Sequence, residues 1–183
     1  MGKQHKELSQ EHIDFINTQK IFFVGTAIET GRVSVSPKGM DSLVILGSNR
    51  IIWLNATGSG NETSSHIQMN PRMTIMFCSF EGKPLILRLY GLSKVYHRSD
   101  IEWKELISTF KYIPGARQIF DFTFDLVQSS CGMSIPYFDY VGERELFNDW
   151  AEQKGEEGIR QYWAEKNKAS IDNQPTNIIQ KSL

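Results

Sequence analysis

Apolar and polar residues alternate along several short stretches of the chain. The clearest stretch is residues 118–128, where every second position is apolar: Phe120, Phe122, Phe124 and Leu126. Because successive side chains of a strand point to opposite faces, this alternation predicts a strand with one buried face. Residues 32–36 alternate in the same way before Pro37-Lys38-Gly39 breaks the pattern, and residues 21–28 are strongly strand-prone.

Two pairs of strand-like segments are separated by turn residues. Residues 42–46 and 50–54 flank a Gly-Ser-Asn turn, and residues 73–80 and 85–96 flank a Glu-Gly-Lys-Pro turn, so both pairs are predicted hairpins. Helical patterns cover residues 8–18, with Ser9 as N-cap, and 99–110, where Ser99 and Glu102 match a capping box. A short helix is predicted from Asn61 and cannot continue past Pro71.

These elements predict an α+β chain, mainly β, in one domain. About six or seven short strands joined by tight turns favour an antiparallel sheet or barrel over residues 21–130. A mostly helical extension follows at residues 143–168, and residues 172–183 form a polar tail without periodicity. The βαβ rhythm and the G-x-G-x-x-G motif of a dinucleotide-binding Rossmann fold are missing.

Composition excludes several function classes. The 183 residues are 40% apolar and 22% charged, with a formal net charge of −1, which is ordinary for a globular domain. The basic residues are scattered, so nucleic acid is not an expected partner. No apolar run approaches the roughly 18 residues of a membrane span, so no membrane association is expected. Two cysteines and no signal-peptide pattern favour reduced thiols and a cytoplasmic location.

A small-residue loop between a strand and a helix is the strongest candidate for a binding site. Residues 51–54 are apolar, residues 55–60 read Asn-Ala-Thr-Gly-Ser-Gly, and the predicted helix follows. Gly58 and Gly60 allow backbone N–H groups to turn toward a ligand, and the hydroxyls of Thr57, Ser59 and Thr63 add donors. With the electropositive helix N-terminus, this arrangement suits a phosphate. The alternative is a plain Gly-Ser turn capped by Asn61 or Thr63.

Two cations flank the alternating segment that precedes this loop. Arg32 and Lys38 are six residues apart, so in a strand both would point to one face. A planar guanidinium and a point charge suit an electron-rich ring and a phosphate, respectively. The alternative is a pair of solvated surface cations. Trp53, just before the loop, could border a ligand.

Other catalytic chemistries find little support. Ser59 lies in Thr-Gly-Ser-Gly, which is not the G-x-S-x-G of a nucleophile elbow, and no His or acid partner is identifiable. The four histidines lack the spacing of a zinc site. Cys78 lies in an apolar strand and is expected in the core, whereas Cys131, in a Gly-flanked loop, is either an exposed thiol or incidental.

Four segments together resemble the pyridoxamine 5'-phosphate oxidase-like family of flavin-binding split β-barrels: residues 31–39, 53–63, 70–78 and 88–91. Their order and spacing agree with the family from about residue 21 to residue 128, and the first two segments are the more specific. The resemblance implies a six-stranded antiparallel Greek-key split β-barrel with peripheral helices. It also implies a homodimer that binds FMN in a groove at the dimer interface.

The resemblance also assigns residues to the cofactor. Residues 32–38 would run beside the isoalloxazine and the ribityl chain, while Lys38 and residues 57–63 would meet the ribityl chain and the phosphate. The expected cofactor-binding set is Arg32, Val33, Ser34, Val35, Ser36, Pro37, Lys38, Gly39, Trp53, Asn55, Thr57, Gly58, Ser59, Gly60, Asn61, Glu62 and Thr63, with Arg88 and Gln128 approaching from the partner subunit.

The chain departs from the family pattern at two places. The enzyme that names the family has basic residues where this chain has Asn61, Glu62 and Thr63. Glu62 would repel a phosphate unless its carboxylate points away or binds a nearby arginine. The arginine-bearing substrate tail of that enzyme is also absent from residues 177–183, so vitamin B6 oxidation is not implied.

The resulting expectation is an FMN-dependent oxidoreductase of unknown substrate, with an electron donor such as NAD(P)H and no nominated catalytic side chain. The alternative is a non-catalytic flavin- or haem-binding protein for storage or sensing on the same fold. For haem, His66 and His97 are the first axial candidates. The deazaflavin F420 is a third cofactor that the fold could accommodate.

Overall fold

Eight strands form one antiparallel sheet in the computed structural model, which describes residues 2–182. Met1 and Leu183, the ends of the predicted domain and tail, lie outside the described residues. The strands are β1 (Lys3–His5), β2 (Phe22–Thr26), β3 (Ser34–Lys38), β4 (Leu43–Gly47), β5 (Arg50–Ala56), β6 (Arg72–Cys78), β7 (Ile86–His97) and β8 (Ala116–Ser130). Their order is β3-β2-β6-β7-β8-β5-β4, and β1 pairs with the last part of β8.

The sheet differs from the predicted barrel in strand number and closure. It has eight strands instead of six, and within residues 2–182 the two ends of its order, β3 and β4, do not pair with each other. Both predicted hairpins are present, as β4–β5 and β6–β7. The mainly antiparallel β architecture of the prediction is therefore confirmed, whereas the six-stranded Greek-key split barrel is not.

Strand β3 is shifted along the chain from its predicted position. The sequence predicts that residues 37–39 break the strand, yet Pro37 lies within β3 opposite Phe23. A proline is tolerated there because β3 is at the edge of the sheet, where a missing N–H costs no ladder bond. The shift also leaves Arg32 before the strand, so Arg32 and Lys38 are not on one face of it.

An aromatic core holds the two ends of the sheet together. Trp53 of β5 is fully buried and stacks on Phe120 of β8, with ring centroids 4.4 Å apart. Phe22 of β2 meets the same indole edge-on at 6.2 Å. Since β2 and β5 are not neighbours in the strand order, the sheet curls so that its ends meet through side chains.

The helices are α1 (Gln10–Thr18), α2 (Glu62–Met69), α3 (Ile101–Leu106) with a 3₁₀ turn (Ile107–Thr109), α4 (Leu146–Tyr162) with a π-helical turn (Trp163–Asn167), and α5 (Ile178–Ser182). Ser9 caps α1 as predicted, by accepting the His12 N–H. The predicted capping box at Ser99 is wrong: α3 begins after Asp100, whose carboxylate instead accepts the His97 N–H.

The C-terminal residues are an integral part of the fold and not a polar tail. They contain α5, and the side chains of Thr176 and Ile178 are fully buried. Ile178 packs in a cluster with Ala151, Ile159 and Trp163 of the preceding helical segment. The sequence of this region shows no periodicity because the segment is short and its buried positions are set by neighbours elsewhere in the chain.

Candidate functional site

A cleft of about 490 Å³ lies where β3, the end of β5 and the start of α2 meet. Its walls also include residues from the start of β8 and from α4 that are distant in sequence. The lining residues are Ser34, Ser36, Pro37, Lys38, Gly39, Met40, Ser42, Leu54, Asn55, Ala56, Thr57, Gly58, Ser59, Gly60, Asn61, Glu62, Thr63, Ile113, Arg117 and Phe147. The segment that ends at Lys38 and the small-residue loop, both singled out in the sequence, therefore face one space.

The loop at residues 57–61 is held from behind by hydrogen bonds to its carbonyl groups. Asn167 donates to the Gly58 carbonyl at 3.0 Å, and Arg117 donates to the Gly60 carbonyl at 2.7 Å. In a trans peptide the following N–H points opposite to the carbonyl, so the N–H groups of Ser59 and Asn61 point to the other side of the loop. Within residues 2–182 neither N–H has a hydrogen-bond partner.

Thr57 supports this loop and does not offer a free donor. Its hydroxyl donates to the Gly115 carbonyl at 2.6 Å and accepts the indole N–H of Trp163 at 2.7 Å. The one hydroxyl proton is therefore used inside the protein. Ser59, by contrast, is exposed at the cleft, and the N-terminus of α2 opens onto the same space.

Two cations face the cleft without an ion-pair partner among the described residues: Lys38 and Arg117. Burial, with the nearby Arg117 charge, lowers the pKa of Lys38 to about 8. Burial also lowers the pKa of Arg117, which is 3% exposed, to about 9. The Lys38 ammonium lies over the Trp53 ring, 5.2 Å from its centroid.

Several buried polar atoms at the cleft lack a partner. They are the Ser36 hydroxyl, both polar atoms of the Asn61 side chain, and Nε of Arg117. Buried polar groups are normally hydrogen-bonded, and an unpaired one costs about 1–3 kcal/mol. All three residues line the same space, so a polar ligand there could satisfy them together.

The carboxylate of Glu62 is turned toward the C-terminal segment. It accepts the backbone N–H of Ile171 at 3.0 and 3.1 Å to its two oxygens. The negative charge of Glu62 also interacts with Arg117 and favours the protonated guanidinium form, which partly offsets the lowering of the pKa of Arg117 by burial. The arrangement meets the condition under which an acid at this position leaves room for an anion.

Most of the predicted cofactor-binding residues line the cleft, and six do not. Arg32 is bound by its backbone N–H and its guanidinium to Asp172, and its side chain is 68% exposed. Trp53 forms part of the core beneath Lys38. The other four are Val33 and Val35, which are exposed, and Arg88 and Gln128, which face each other across β7 and β8.

Sequence reasoning missed the residues that complete the cleft from other parts of the chain. Arg117 is the second residue of the long strand β8, just before the alternating stretch, and it supplies the second positive charge. Ile113 and Phe147 add apolar surface. No local pattern marks these residues, because they reach the site only through the pairing of β8 with β5 and the position of α4.

The histidines and cysteines lie outside the cleft. His97 is fully buried with Nε2 3.1 Å from the Thr176 carbonyl, and Nδ1 of His66 lies 3.1 Å from the Thr26 hydroxyl. Cys78 is buried, as predicted, and Cys131 is exposed. Residues 2–182 contain no cluster of three or more metal-ligand side chains and no helix able to cross a membrane.

Known proteins are similar to this chain both in sequence, over a region that contains most of the cleft residues, and in fold. A sequence model described as pyridoxamine 5'-phosphate oxidase matches residues 8–131. A pyridoxamine 5'-phosphate oxidase family protein of Aspergillus flavus, ustO, is 34% identical over 146 residues, which cover 77% of this chain. The matched region is 59% of that curated relative, so the chain spans less than two thirds of its length.

Solved structures share the fold at low sequence identity. The haem storage protein HutZ of Vibrio cholerae is 16% identical, with a TM-score of 0.51 over 69% of this chain and 97% of that chain. The FAD binding protein of Mycobacterium smegmatis is 10% identical, with a TM-score of 0.51 over 68% of this chain and 96% of that chain. At these identities the likeness extends to the fold alone.

Proposed function

Because this chain belongs to the pyridoxamine 5'-phosphate oxidase family, we propose that it binds FMN in the cleft and is an FMN-dependent oxidoreductase. One observation carries the proposal: two cations without ion-pair partners and a loop with unpaired N–H groups converge on a single space. A volume of about 490 Å³ is within the range of cofactor sites.

The phosphate of FMN fits the polar end of the cleft. Lys38 and Arg117 supply positive charge, and the N–H groups of Ser59 and Asn61 supply donors at the start of α2. The unpaired hydroxyl of Ser36 and amide of Asn61 would gain partners from the phosphate or the ribityl hydroxyls. These donors replace the basic residues that the family's namesake has at residues 61–63.

The isoalloxazine fits the apolar remainder of the cleft. Met40, Leu54, Ile113 and Phe147 supply surface against which a planar ring can pack and from which water is excluded. A flavin held there would supply hydride or single-electron transfer. The protein's part is to bind, orient and shield it, and no lining side chain is assigned as a proton donor.

A haem-binding role is the second candidate, since HutZ shares the fold. The lining residues argue against haem in this cleft. Of the side chains that commonly ligate haem iron, the lining contains a Met but no His, Cys or Tyr. His66 and His97 are buried elsewhere, with ring nitrogens facing Thr26 and Thr176. F420 remains compatible with the cleft, and the absorption spectrum of the purified protein distinguishes it from FMN and haem.

We further propose that a second copy of the chain completes the site. Val35, on the outer face of edge strand β3, is 67% exposed, and Val33 just before it is 71% exposed. Such apolar exposure at a sheet edge is usually covered. In this arrangement Arg88 and Gln128 would approach the flavin from the second copy, and a reduced nicotinamide would be the electron donor.

Titration with FMN tests the proposal. We expect the purified protein to bind one FMN per chain, followed by fluorescence, and Lys38→Met to weaken binding at least about tenfold through loss of a phosphate charge. Lys154→Met, which removes an exposed lysine on α4, serves as the matched control. A protein that takes up no FMN, or equal losses in both variants, would contradict the proposal.

Turnover distinguishes an oxidoreductase from a storage protein. The FMN-loaded protein is expected to consume NADH or NADPH in air, and a storage protein would not. Size-exclusion chromatography of dilute protein tests the second copy: a monomer with full FMN affinity would exclude a shared site.

A further inference from the structure

The C-terminal segment outside the region matched by the family holds the proposed phosphate loop in place. The matched region ends at residue 131, yet hydrogen bonds from residues 163–176 reach the start of α2 and the loop before it. They join Trp163 to Thr57, Asn167 to Gly58, Ile171 to Glu62, and Ser64 to Thr176. The loop is thus positioned by residues more than a hundred positions away.

Asn167 has the most specific of these contacts. It is fully buried, and both ends of its amide are used. The side-chain oxygen accepts a guanidinium N–H of Arg117 at 2.5 Å, and the side-chain nitrogen donates to the Gly58 carbonyl at 3.0 Å. Arg117 has only donors and a carbonyl has only acceptors, so the amide has one consistent orientation.

Arg117 completes the same arrangement. Its second terminal nitrogen donates to the Gly60 carbonyl at 2.7 Å. Asn167 and Arg117 therefore fix two alternate peptide groups of the loop, those that carry the N–H groups of Ser59 and Asn61. Without these bonds each glycine-flanked peptide could rotate and withdraw its N–H from the cleft, since glycine restricts rotation least.

We infer that Asn167 is a positioning residue for phosphate recognition: through Arg117 and the Gly58 carbonyl it turns the loop N–H groups toward the anion. The inference rests on the proposed function only in taking the anion to be the phosphate of FMN. Asn167 itself does not line the cleft, so its effect on a ligand is indirect.

The test compares FMN with riboflavin, which has the same ring and ribityl chain without the phosphate. For Asn167→Ala we expect FMN affinity to fall about tenfold or more while riboflavin affinity stays within about twofold. Lys166→Ala, an exposed neighbour in the same π-helical turn, should leave both affinities unchanged. Equal losses for the two flavins, or no loss of FMN affinity, would overturn the inference.

A second variant distinguishes a specific effect on the loop from a general loss of the fold. Asn167→Asp keeps an oxygen for Arg117 but places an acceptor against the Gly58 carbonyl, so the fold should persist while the loop peptide is repelled. We expect the FMN-to-riboflavin affinity ratio to fall in this variant as well. A ratio equal to that of the unmodified protein would overturn the role of the Gly58 contact.

An anion probe separates this inference from the proposed function. If the unmodified protein binds no flavin, the proposed function fails, and inorganic phosphate is titrated while the Ser59 and Asn61 amides are followed by NMR. Amide shifts in the unmodified protein that disappear in Asn167→Asp would support the positioning role. Identical responses, or none in the unmodified protein, would overturn it.

Discussion

Lys38 and Arg117 give the cleft its positive charge. In the protein without ligand, both side chains lie at positions where burial makes the charged form unfavourable. Burial is the main cause of the lowered pKa at both residues, and the Arg117 charge lowers the pKa of Lys38 further. No carboxylate within the described residues forms an ion pair with either side chain. A bound anion would relieve both costs, which is a physical reason for the site to select phosphate.

FMN affinity is expected to decrease as the pH rises through the pKa of Lys38. Below pH 8 Lys38 is charged in both the free and the bound protein; above pH 8 the free protein loses that proton and must regain it on binding. The dissociation constant should therefore rise about fourfold between pH 7 and 8.5, a range in which the phosphate stays dianionic.

Fluorescence titrations at several pH values measure this change. Lys38→Arg keeps a charge that does not titrate in this range, so its dissociation constant should be nearly independent of pH. An unmodified protein with a flat profile would show that Lys38 does not contact the phosphate.

Glu62→Gln should change ligand affinity and stability in opposite directions. Removing the negative charge beside the phosphate is expected to tighten FMN binding several-fold. It also weakens the contact with the Ile171 N–H and the favourable interaction with the α2 dipole, so the free energy of unfolding should fall by about 0.5–1 kcal/mol. Titration and chemical denaturation measure the two effects. Glu157→Gln, at an exposed position of α4, is the control, and weaker FMN binding by Glu62→Gln would contradict this account.

At the scale of elements, the long strands β7 and β8 set the geometry that brings Arg117 to the cleft. They pair from Ile86 with Ser130 to His97 with Gln118, with a register shift between Tyr90 and Gly91. Gly91 is needed at this irregularity because a Cβ there would lie 2.1 Å from the Thr123 carbonyl oxygen. The close approach of the two backbones therefore depends on the absence of a side chain.

Gly91→Ala is expected to destabilise the protein by about 2–3 kcal/mol, because the backbone of β8 must move to admit the methyl group. Gly47→Ala is the matched control: a Cβ at Gly47 meets no atom within 4 Å, so the change should stay within about 0.5 kcal/mol. Urea denaturation measures both. Similar values for the two variants would show that the register shift is not sterically required.

At the scale of the whole molecule, the C-terminal residues contact three parts of the structure that are distant in sequence. They pack against the helical segment through Ile178, and they contact α2 through Thr176 and the β2–β3 connection through Asp172. Hydrogen bonding to Arg32 lowers the pKa of Asp172. The C-terminal segment thus packs against α2, whose N-terminus opens onto the cleft. Removing this segment would therefore affect the site as well as the stability of the fold.

Ile178→Ala should reduce the free energy of unfolding by about 2–4 kcal/mol, because the side chain is fully buried. Ile171→Ala, seven residues earlier and 66% exposed, should change it by no more than about 0.5 kcal/mol. Thermal or chemical denaturation of the pair makes the comparison. Equally small changes in the free energy of unfolding for the two variants would mean that the C-terminal segment is a solvated tail.

Local patterns in the sequence determined most of the strands and the position of the loop. The alternation at residues 118–128 marks β8, and the Thr-Gly-Ser-Gly turn before Pro71 marks the start and the limit of α2. These features could be predicted because side-chain alternation, glycine turns and proline act over a few neighbouring residues. The alternating segment also makes Lys38 a candidate, and the family resemblance extended the prediction to Ser34, Ser36 and Pro37 beside it.

Only the tertiary structure decided which distant groups reach that loop. It placed Arg117 and Phe147 in the cleft, paired Arg32 with Asp172 away from it, and brought Asn167 behind Gly58. None of these contacts leaves a periodic signal, because each depends on strand register and chain packing over tens of residues or more. The sequence alone therefore determined the local frame of the proposed phosphate loop, and the folded chain decided its charges and supports.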